Sequence, residues 1–487
     1  MLIAFHCVYF ADVTHIWIIF STIMKRLFAL LYFGCLLIIG ASTPVNLYAQ
    51  QKGVISIDSV LNSVKQNLPQ LQSYREQINA RAQQVKLSQN TLVPDLTAGY
   101  QAGYATDNNI TGMSYPGLLL PISGPVSKNN SYRLVAGTAL TALIKWNPFT
   151  FGQRPARIAT AKSQYRVANS QYKEQLFISQ YSAVNTYLEL LYLNKALISM
   201  RENVLRSRVN LQQAVTLGRT GLRPGTDSVQ FQSALAQAQM DYLQSEKLNQ
   251  QQQIALEQQT ALQLNNGDNN LILTDTLLLK KLPALYDTTN NLSRHPVYQF
   301  YDAQRQASAS ALKEVKLSWM PRLDFWGTAY SRGSGIGYDG TIKSTQGWNL
   351  SHNNFGLGVQ LSFPILDFAR WKIQKQQYNY LLNADEQLLK QTTLDLSAQL
   401  RSATVALRQN IQIAMQAPEK LKAAQLAYQS LEANYKAGLI DYTRLAQGQY
   451  DLLNAEVEMY SSYIQAWQAL LNLAIAEGDL SLFTNQL

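Results

Sequence analysis

Apolar and polar residues alternate most regularly in a short stretch of the second half of the chain. Between Phe355 and Phe363 every odd-numbered residue is apolar, and the residues between them are glycine, glutamine or serine. A period of two places all the apolar side chains on one face of a β-strand. Less regular alternation occurs in three other stretches. The pattern predicts four strands, at 94–105, 131–146, 321–332 and 354–364.

The surroundings of these strands allow two interpretations. One is a half-buried sheet in an ordinary globular protein, and the other is a set of membrane strands. Strands of about ten residues, aromatic residues near strand ends and long polar loops on one side only, at 106–130 and 333–353, are typical of membrane strands. We therefore favour membrane strands. In the third strand Trp326 faces away from Leu323 and Phe325, which leaves the orientation of that strand open.

Long stretches with almost no helix breakers predict the other elements; the exceptions in the long helices are Pro155, in a first turn, and Pro418. One helix precedes each pair of strands, at 70–92 and 297–319, and a helical hairpin follows each pair, at 152–265 and 367–478. The first helix of each hairpin has about 65 residues, or roughly 100 Å, which is too long for burial in a compact domain. Leucines in the second hairpin recur with the heptad spacing of a coiled coil. They are Leu382, Leu389, Leu396, Leu400 and Leu407.

The chain contains an internal duplication. Pro69 and Pro94 recur as Pro296 and Pro321, both at an offset of 227 residues. The turn after the second strand and the turn of the hairpin recur in the same order, at offsets of 216 and 217 residues. A repeated order of matches indicates two copies of one structural unit. The predicted copies span 50–265 and 293–487, joined by a linker at 266–292.

The first 49 residues have the features of a signal peptide. Two basic residues precede an apolar run at 27–39, and Ala49 provides a small residue for cleavage. We expect translation to begin at Met24, so that 1–23 lies upstream of the true start. The alternative is an uncleaved anchor. After this leader, no stretch has the run of about 18 consecutive apolar residues that suggests a transmembrane helix.

The composition argues against several functions. The 487 residues carry a net charge of +10, but the basic residues form no block of the kind that follows a nucleic-acid backbone. Both cysteines lie in the leader, and His295 and His352 have no nearby nucleophile or acidic cluster in the sequence. We therefore expect no nucleic-acid partner, no cofactor, no metal site and no catalytic centre.

Four membrane strands are too few to form a closed barrel. Closed barrels begin at about eight strands, and an open sheet edge cannot face lipid. Three copies of the chain would supply twelve strands. The expected fold is a mixed α and β membrane protein: a trimeric 12-stranded β-barrel, with four strands per chain, continued by a long α-helical coiled-coil barrel that stands off the membrane.

The repeated order of strands and long helices resembles the TolC family of outer-membrane efflux and secretion channels. The resemblance extends over 54–482. The matching motifs are Pro148 with Gly152 and Pro364 with Asp367 at the strand-to-helix turns, and Tyr435-x-x-Gly438 at the end of the second long helix.

This resemblance implies a homotrimer in contact with outer-membrane lipid, with the 12-stranded β-barrel in the outer membrane and the α-helical coiled-coil barrel in the periplasm. It also implies that a periplasmic adaptor (membrane fusion) protein and an inner-membrane pump deliver drugs or other small toxic molecules to the channel. The alternatives within this class are type I protein secretion and metal efflux. A non-conducting periplasmic coiled-coil protein is the alternative outside it.

The functional residues of the TolC family lie at the hairpin turns, which form the periplasmic mouth. The resemblance implies that an adaptor docks near Gly221 and Thr226 of the first turn and near Gly438 and Thr443 of the second. The alternative is helix capping, in which glycine takes the left-handed conformation and Thr or Asp caps the next helix.

The same comparison suggests a gate near the mouth. Acidic residues follow the second turn in well-known members, but this chain has Arg444 and Gln447 at those positions, which argues against an acidic constriction. We hypothesise that Asp227 pairs with Arg444 across neighbouring hairpins; the alternative is two solvated charges. The possible gate residues are Asp227, Tyr435, Asp441, Arg444 and Gln447.

Overall fold

A computed structural model describes residues 54–106, 108, 129–221, 225–262, 272–286, 291–337 and 341–487. The signal peptide predicted at 1–49 lies outside the described residues. So do most of the first polar loop, the middle of the first hairpin turn and parts of the predicted linker.

Each copy contains a helix, two strands and a helical hairpin. The elements of the first copy are β1 (Val54–Ile55), α1 (Ile57–Asn67), α2 (Pro69–Asn90), β2 (Asp95–Ala105), β3 (Val135–Phe149), α3 (Gln153–Arg219) and α4 (Gly225–Thr260). After β4 (Ile272–Leu273) in the linker, the second copy contains α5 (Pro296–Leu317), β5 (Arg322–Ser334), β6 (His352–Ser362), α6 (Phe368–Lys436), α7 (Tyr442–Glu477) and α8 (Ser481–Thr484).

The four long strands form one antiparallel sheet in the order β2-β3-β5-β6. Strand β5 pairs Phe325 with Val359 and Trp326 with Gly358, so the orientation that the sequence leaves open is settled. A Cβ atom at Gly358 would clash with the Trp326 ring, which therefore covers the glycine face of the sheet. Leu323 and Phe325 share the opposite face with the apolar residues of β6.

Strand β3 differs from its predicted bounds of 131–146. It begins at Val135 and continues to Phe149, with an irregular register between Trp146 and Phe149. Pro148 therefore lies at a bulge within β3, and the turn into α3 begins only after Phe149. Proline has no amide hydrogen to donate to a neighbouring strand, and a bulge is one of the positions where a strand accepts it.

The two long helices are continuous over 67 and 69 residues. Helix α6 passes through Pro418 without ending. The predicted leucine seam is confirmed, because Leu396, Leu400 and Leu407 are buried and the two earlier leucines are partly buried.

The helices pack side by side in two rows. Near the sheet the order is α2-α3-α5-α6, and toward the hairpin turns it is α4-α3-α7-α6. The sheet has the same arrangement, because β2 leads from α2 and β6 leads into α6. One edge of the chain is therefore formed by α2, β2 and α4, and the other by β6 and α6.

A hydrophobic core joins the two copies midway along the helices. The indole nitrogen of Trp467 donates to the carbonyl oxygens of Leu278 and Lys281, at 3.0 and 2.9 Å. The described part of the linker, 272–286, is held against α7 in this way. Helix α1 is additional to the predicted elements, and Ser56 and Ser59 cap it reciprocally.

The described helices include none that is both long enough and apolar enough to cross a membrane.

Candidate functional site

The second hairpin turn is a tight connection between α6 and α7. Gly438 has φ +81°, a conformation that favours glycine, although a Cβ atom there would meet nothing within 4 Å. The backbone strain, and not crowding, therefore selects glycine. Asp441 caps α7 by accepting a hydrogen bond from the Arg444 amide at 3.1 Å. Thr443 is exposed and does not serve as the cap.

The first hairpin turn has the same glycine geometry. Gly221 has φ +72°, and α4 begins at Gly225. Thr226 is exposed in the first turn of α4. The two glycines are thus explained by their backbone conformation, while the two threonine hydroxyl groups are available to another molecule.

A hydrogen bond joins the two hairpins next to these turns. The Tyr435 hydroxyl group donates to Asp227 Oδ2 at 3.1 Å, linking α6 to α4. The Tyr442 hydroxyl group donates to the carbonyl oxygen of Gln230 at 3.2 Å, linking α7 to the same helix. Two of the predicted gate residues, Asp227 and Tyr435, are therefore in direct contact.

Aromatic packing surrounds this hydrogen bond. Phe231 lies edge-on to Tyr435 and Tyr442, with ring centroids 5.6 and 4.5 Å apart. Phe231 and Tyr435 are each only 1% exposed. Removing a buried phenylalanine costs about 3–5 kcal/mol, against about 1.5–3 kcal/mol for a hydrogen bond to a charged group, and Asp227 is partly solvated. Aromatic burial is therefore the stronger attachment between the hairpins.

Other predicted gate residues lie apart from this contact. Gln447 donates to Asp451 Oδ1 at 2.8 Å on its own helix. Arg444 is exposed, and the ion pairs within the described part of the chain do not include Asp227 with Arg444. Within one chain the partner of Asp227 is Tyr435, the last residue but one of α6. Pairing of Asp227 with Arg444 between copies stays a prediction.

A buried polar cluster lies farther from the turns, between α3 and α7. Gln449 donates to Asn203 Oδ1 at 2.8 Å and to Ser207 Oγ at 2.6 Å. Asn210 donates to Gln449 Oε1 at 2.8 Å and to the Tyr428 hydroxyl group at 3.2 Å. Burial raises the pKa of Tyr428, which keeps its hydroxyl group protonated.

Sequence reasoning did not predict this polar cluster. The signal is the spacing of Asn203, Ser207 and Asn210, which places three polar residues on one face of a helix. An ion pair between Arg206 and Glu456, with contacts of 3.1 and 3.0 Å, continues the cluster along the same helices.

The two strand-to-helix turns differ in conformation. In the first copy Gly152 has φ +91° and Phe151 has φ +48°, and α3 begins directly afterwards. In the second copy Pro364 has φ −82°, and a short 3₁₀ turn, Ile365–Asp367, leads into α6. Asp367 forms an exposed ion pair with Arg370 at 3.4 Å. The sequence motifs are thus equivalent in position but not in backbone geometry.

The described ranges contain no group of three or more His, Cys, Asp or Glu residues arranged to hold a metal ion.

Two copies of a strand pair and a long hairpin, joined in one sheet and two helix rows, define a class of outer-membrane channel subunits. The family model described as "Outer membrane efflux protein" matches residues 60–261 and 290–478. The chain belongs to this family and is an outer membrane protein. The match confirms the family resemblance, and its two segments agree with the internal duplication.

Solved structures support the fold. The CmeC outer membrane channel of Campylobacter jejuni has a TM-score of 0.71 at 13% identity, covering 87% of this chain and 85% of that chain. CusC also has a TM-score of 0.71, at 12% identity, covering 89% of this chain and 96% of that chain. The MtrE outer membrane channel of Neisseria gonorrhoeae, in its open state, has a TM-score of 0.67 at 13% identity, covering 87% and 89%. No curated protein matches the sequence.

Proposed function

We propose that the chain is the exit duct of a tripartite export system. Three copies form a 12-stranded barrel in the outer membrane, and their helices continue it as a tunnel in the periplasm. The duct passively conducts drugs and other small toxic molecules that an inner-membrane pump and a periplasmic adaptor deliver. It catalyses no reaction of its own.

The observation that carries this proposal is that the sheet and both helix rows end, without a further neighbour in the described chain, at the same two edges. The sheet ends at β2 and β6, and the helix rows end at α2 and α4 on one side and at α6 on the other. Strands β2 and β6 run in opposite directions, so β6 of one copy can pair antiparallel with β2 of the next copy and extend the sheet. Closure by identical copies satisfies the open edges.

The hairpin turns are proposed as the periplasmic mouth. Exposed Thr226 and Thr443, each close to a left-handed glycine, give an adaptor accessible hydroxyl groups at the end of each hairpin. The hydrogen bond between Asp227 and Tyr435 and the packing of Phe231 hold the two hairpins of a chain together. We propose that opening of the mouth separates this contact.

Conductance in planar bilayers tests the proposal. The purified protein should form channels, and Tyr435→Phe should raise their conductance because it removes only the hydroxyl group that bonds Asp227. Gln237→Ala is a matched control, because Gln237 bonds Asp241 on the same helix as Asp227 but away from the second hairpin. A protein that forms no channels would contradict the duct, whereas channels unaffected by Tyr435→Phe would contradict only the gate.

A further inference from the structure

An exposed apolar turn connects β6 to α6. Ile365 is 79% exposed, Leu366 95% and Phe368 61%. Three large apolar side chains this close together and this exposed indicate a contact surface rather than an ordinary solvated turn. We call residues 363–369 the β6–α6 turn.

A groove lies at the opposite edge of the chain, at the same end of the sheet. It has a volume of about 630 Å³ and lies where α2 ends and β2 begins, with Lys86, Leu92, Val93 and Trp146 among its lining residues. Leu92 and Val93 are 51% and 60% exposed. The indole nitrogen of Trp146 donates to the Leu92 carbonyl oxygen at 2.9 Å, which fixes the indole as one wall. We call this surface the α2–β2 groove.

Within one chain, a strand-to-helix turn already packs against a helix-to-strand junction. Gln153, just after the strand-to-helix turn of the first copy, donates to the carbonyl oxygen of Met320 at 2.6 Å. The position of a Cβ atom on Gly152 lies 3.5 Å from Leu317. The strand-to-helix turn of the first copy thus packs against the junction between α5 and β5 of the second copy.

The internal duplication relates this contact to the two open surfaces. The offset of 227 residues places Val93 at the position of Met320, and the offset of 216 places Ala369 at the position of Gln153. The second strand-to-helix turn follows β6, which is the edge strand of the sheet. Within one chain, therefore, no helix-to-strand junction lies next to this turn on its outer side. An equivalent junction becomes available only on another copy.

We propose that the β6–α6 turn of one chain packs into the α2–β2 groove of the next chain. This inference rests on the proposed trimer and names the contact that joins its subunits at the junction of sheet and helices. The end of β6 and the start of β2 meet there, because antiparallel continuation of the sheet brings those two ends together.

Charge complementarity supports a second copy as the occupant. Lys86 lines the groove, and Asp367 lies between Leu366 and Phe368 in the turn, with its side chain 57% exposed. Asp367 already pairs with Arg370 in its own turn and could accept Lys86 as a second basic partner. A lipid acyl chain would cover the apolar residues of the groove but would give Lys86 no carboxylate. A second copy of the chain supplies both the apolar side chains and the carboxylate.

Cysteine cross-linking tests this contact directly. The only cysteines are Cys7 and Cys35, in the predicted signal peptide, so introduced thiols are the only ones after cleavage. The double variant Val93→Cys/Ala369→Cys, treated with a short bifunctional thiol reagent, should give covalent dimers and trimers on a denaturing gel. Each single variant should stay monomeric. Native mass measured on the same samples in detergent reports assembly independently of the cross-link.

The outcomes separate the two levels of the proposal. Trimers by native mass with the covalent ladder support the contact. Trimers without the ladder overturn it, leave the proposed duct standing and indicate that lipid covers the groove. Monomers by native mass overturn both.

A charge exchange adds a second readout. In the double-cysteine protein Lys86→Glu should lower the cross-linked yield several-fold, and further addition of Asp367→Lys should restore it. Lys313→Glu is the matched control, since the offset of 227 residues places Lys313 at the position of Lys86 and Lys313 is exposed there. Failure of Asp367→Lys to restore the yield, or an equal loss with Lys313→Glu, would contradict pairing between the turn and the groove.

Discussion

Helices α4 and α7 occupy equivalent positions in the two copies, and each has 36 residues. Within one chain, however, the number of buried residues differs greatly between them. Helix α7 has 17 buried residues and α4 has six. Helix α7 lies between α3 and α6, whereas α4 lies at the end of its row, against α3. Helix α7 has a helix on each side and the linker packed against it, whereas α4 has one main neighbour, and this accounts for the difference in burial.

The exposed side of α4 is not simply a polar surface. Val229, Met240, Leu243 and Ile254 are each 58–66% exposed. The buried residues of α4 recur every seven or four positions, which describes only one seam. An apolar surface outside this seam is expected where a second neighbour is missing from the single chain. The proposed ring of copies would supply this second neighbour to α4, whereas α7 already has a helix on each side within one chain.

The largest predicted effect is on α7, which lies between α3 and α6. Trp467→Ala removes a side chain of 0% exposure that also packs against Phe483 at 6.0 Å, so it should cost about 3–5 kcal/mol of stability. Thermal unfolding followed by circular dichroism measures the loss. Leu277→Ala, at a position 72% exposed, should change stability by about 0.5 kcal/mol or less. Equal effects would contradict the central role of α7.

The next effect concerns the one large aromatic residue that α4 buries. Phe231→Ala should cost about 3 kcal/mol and loosen the attachment of α4 to the second hairpin, because both ring contacts are lost. Limited proteolysis near the hairpin turns should become faster than in the unaltered protein. Unchanged proteolysis would show that α4 is held by other contacts.

A pH-dependent effect is expected from α3, the helix shared by both rows. Burial raises the pKa of Glu174 to about 7 from an ordinary value of 4.5. The folded chain therefore binds this proton more tightly than the unfolded chain, and the contribution to stability falls as the pH rises from about 4.5 to about 7. Glu174→Gln should raise the melting temperature at pH 8.

Below the unfolded pKa the two side chains are both neutral, so the advantage of Glu174→Gln should disappear there. Glu202→Gln, at an exposed position of the same helix, is the control and should show no such pH-dependent gain. A gain of equal size at low and high pH would mean that the effect does not come from the carboxyl proton.

The smallest effect is expected on the exposed side of α7. Gln447→Ala removes only a side-chain contact with Asp451 four residues away, worth about 0.2–0.5 kcal/mol. Thermal unfolding of the assembled protein checks this value. A loss well above that range would indicate that Gln447 contacts a neighbouring copy at the mouth.

Much of this fold follows from simple patterns in the sequence. Alternation with period two locates the strands, the scarcity of helix breakers locates the long helices, and the offset between equivalent prolines shows the duplication. The orientation of β5 could not be predicted, because both of its faces carry aromatic residues. The orientation of β5 follows only from its register with β6, in which Trp326 lies opposite Gly358.

The backbone conformation of the two hairpin turns was predictable, but the contacts between the hairpins were not. Left-handed glycines at the two turns follow from the sequence, since few other residues adopt that backbone. The partner of Asp227 depends on the rotation of α6 against α4, which sequence spacing does not specify. Charge alone favours Arg444, whereas packing brings the Tyr435 hydroxyl group to Asp227.

Amide hydrogen exchange of the assembled protein tests the central claim that neighbouring copies complete the open edges. We predict that α4 and α7 exchange equally slowly in the assembled protein, and that α4 exchanges much faster once the protein is dissociated into monomers. Fast exchange of α4 in the assembled protein, with α7 still protected, would contradict it.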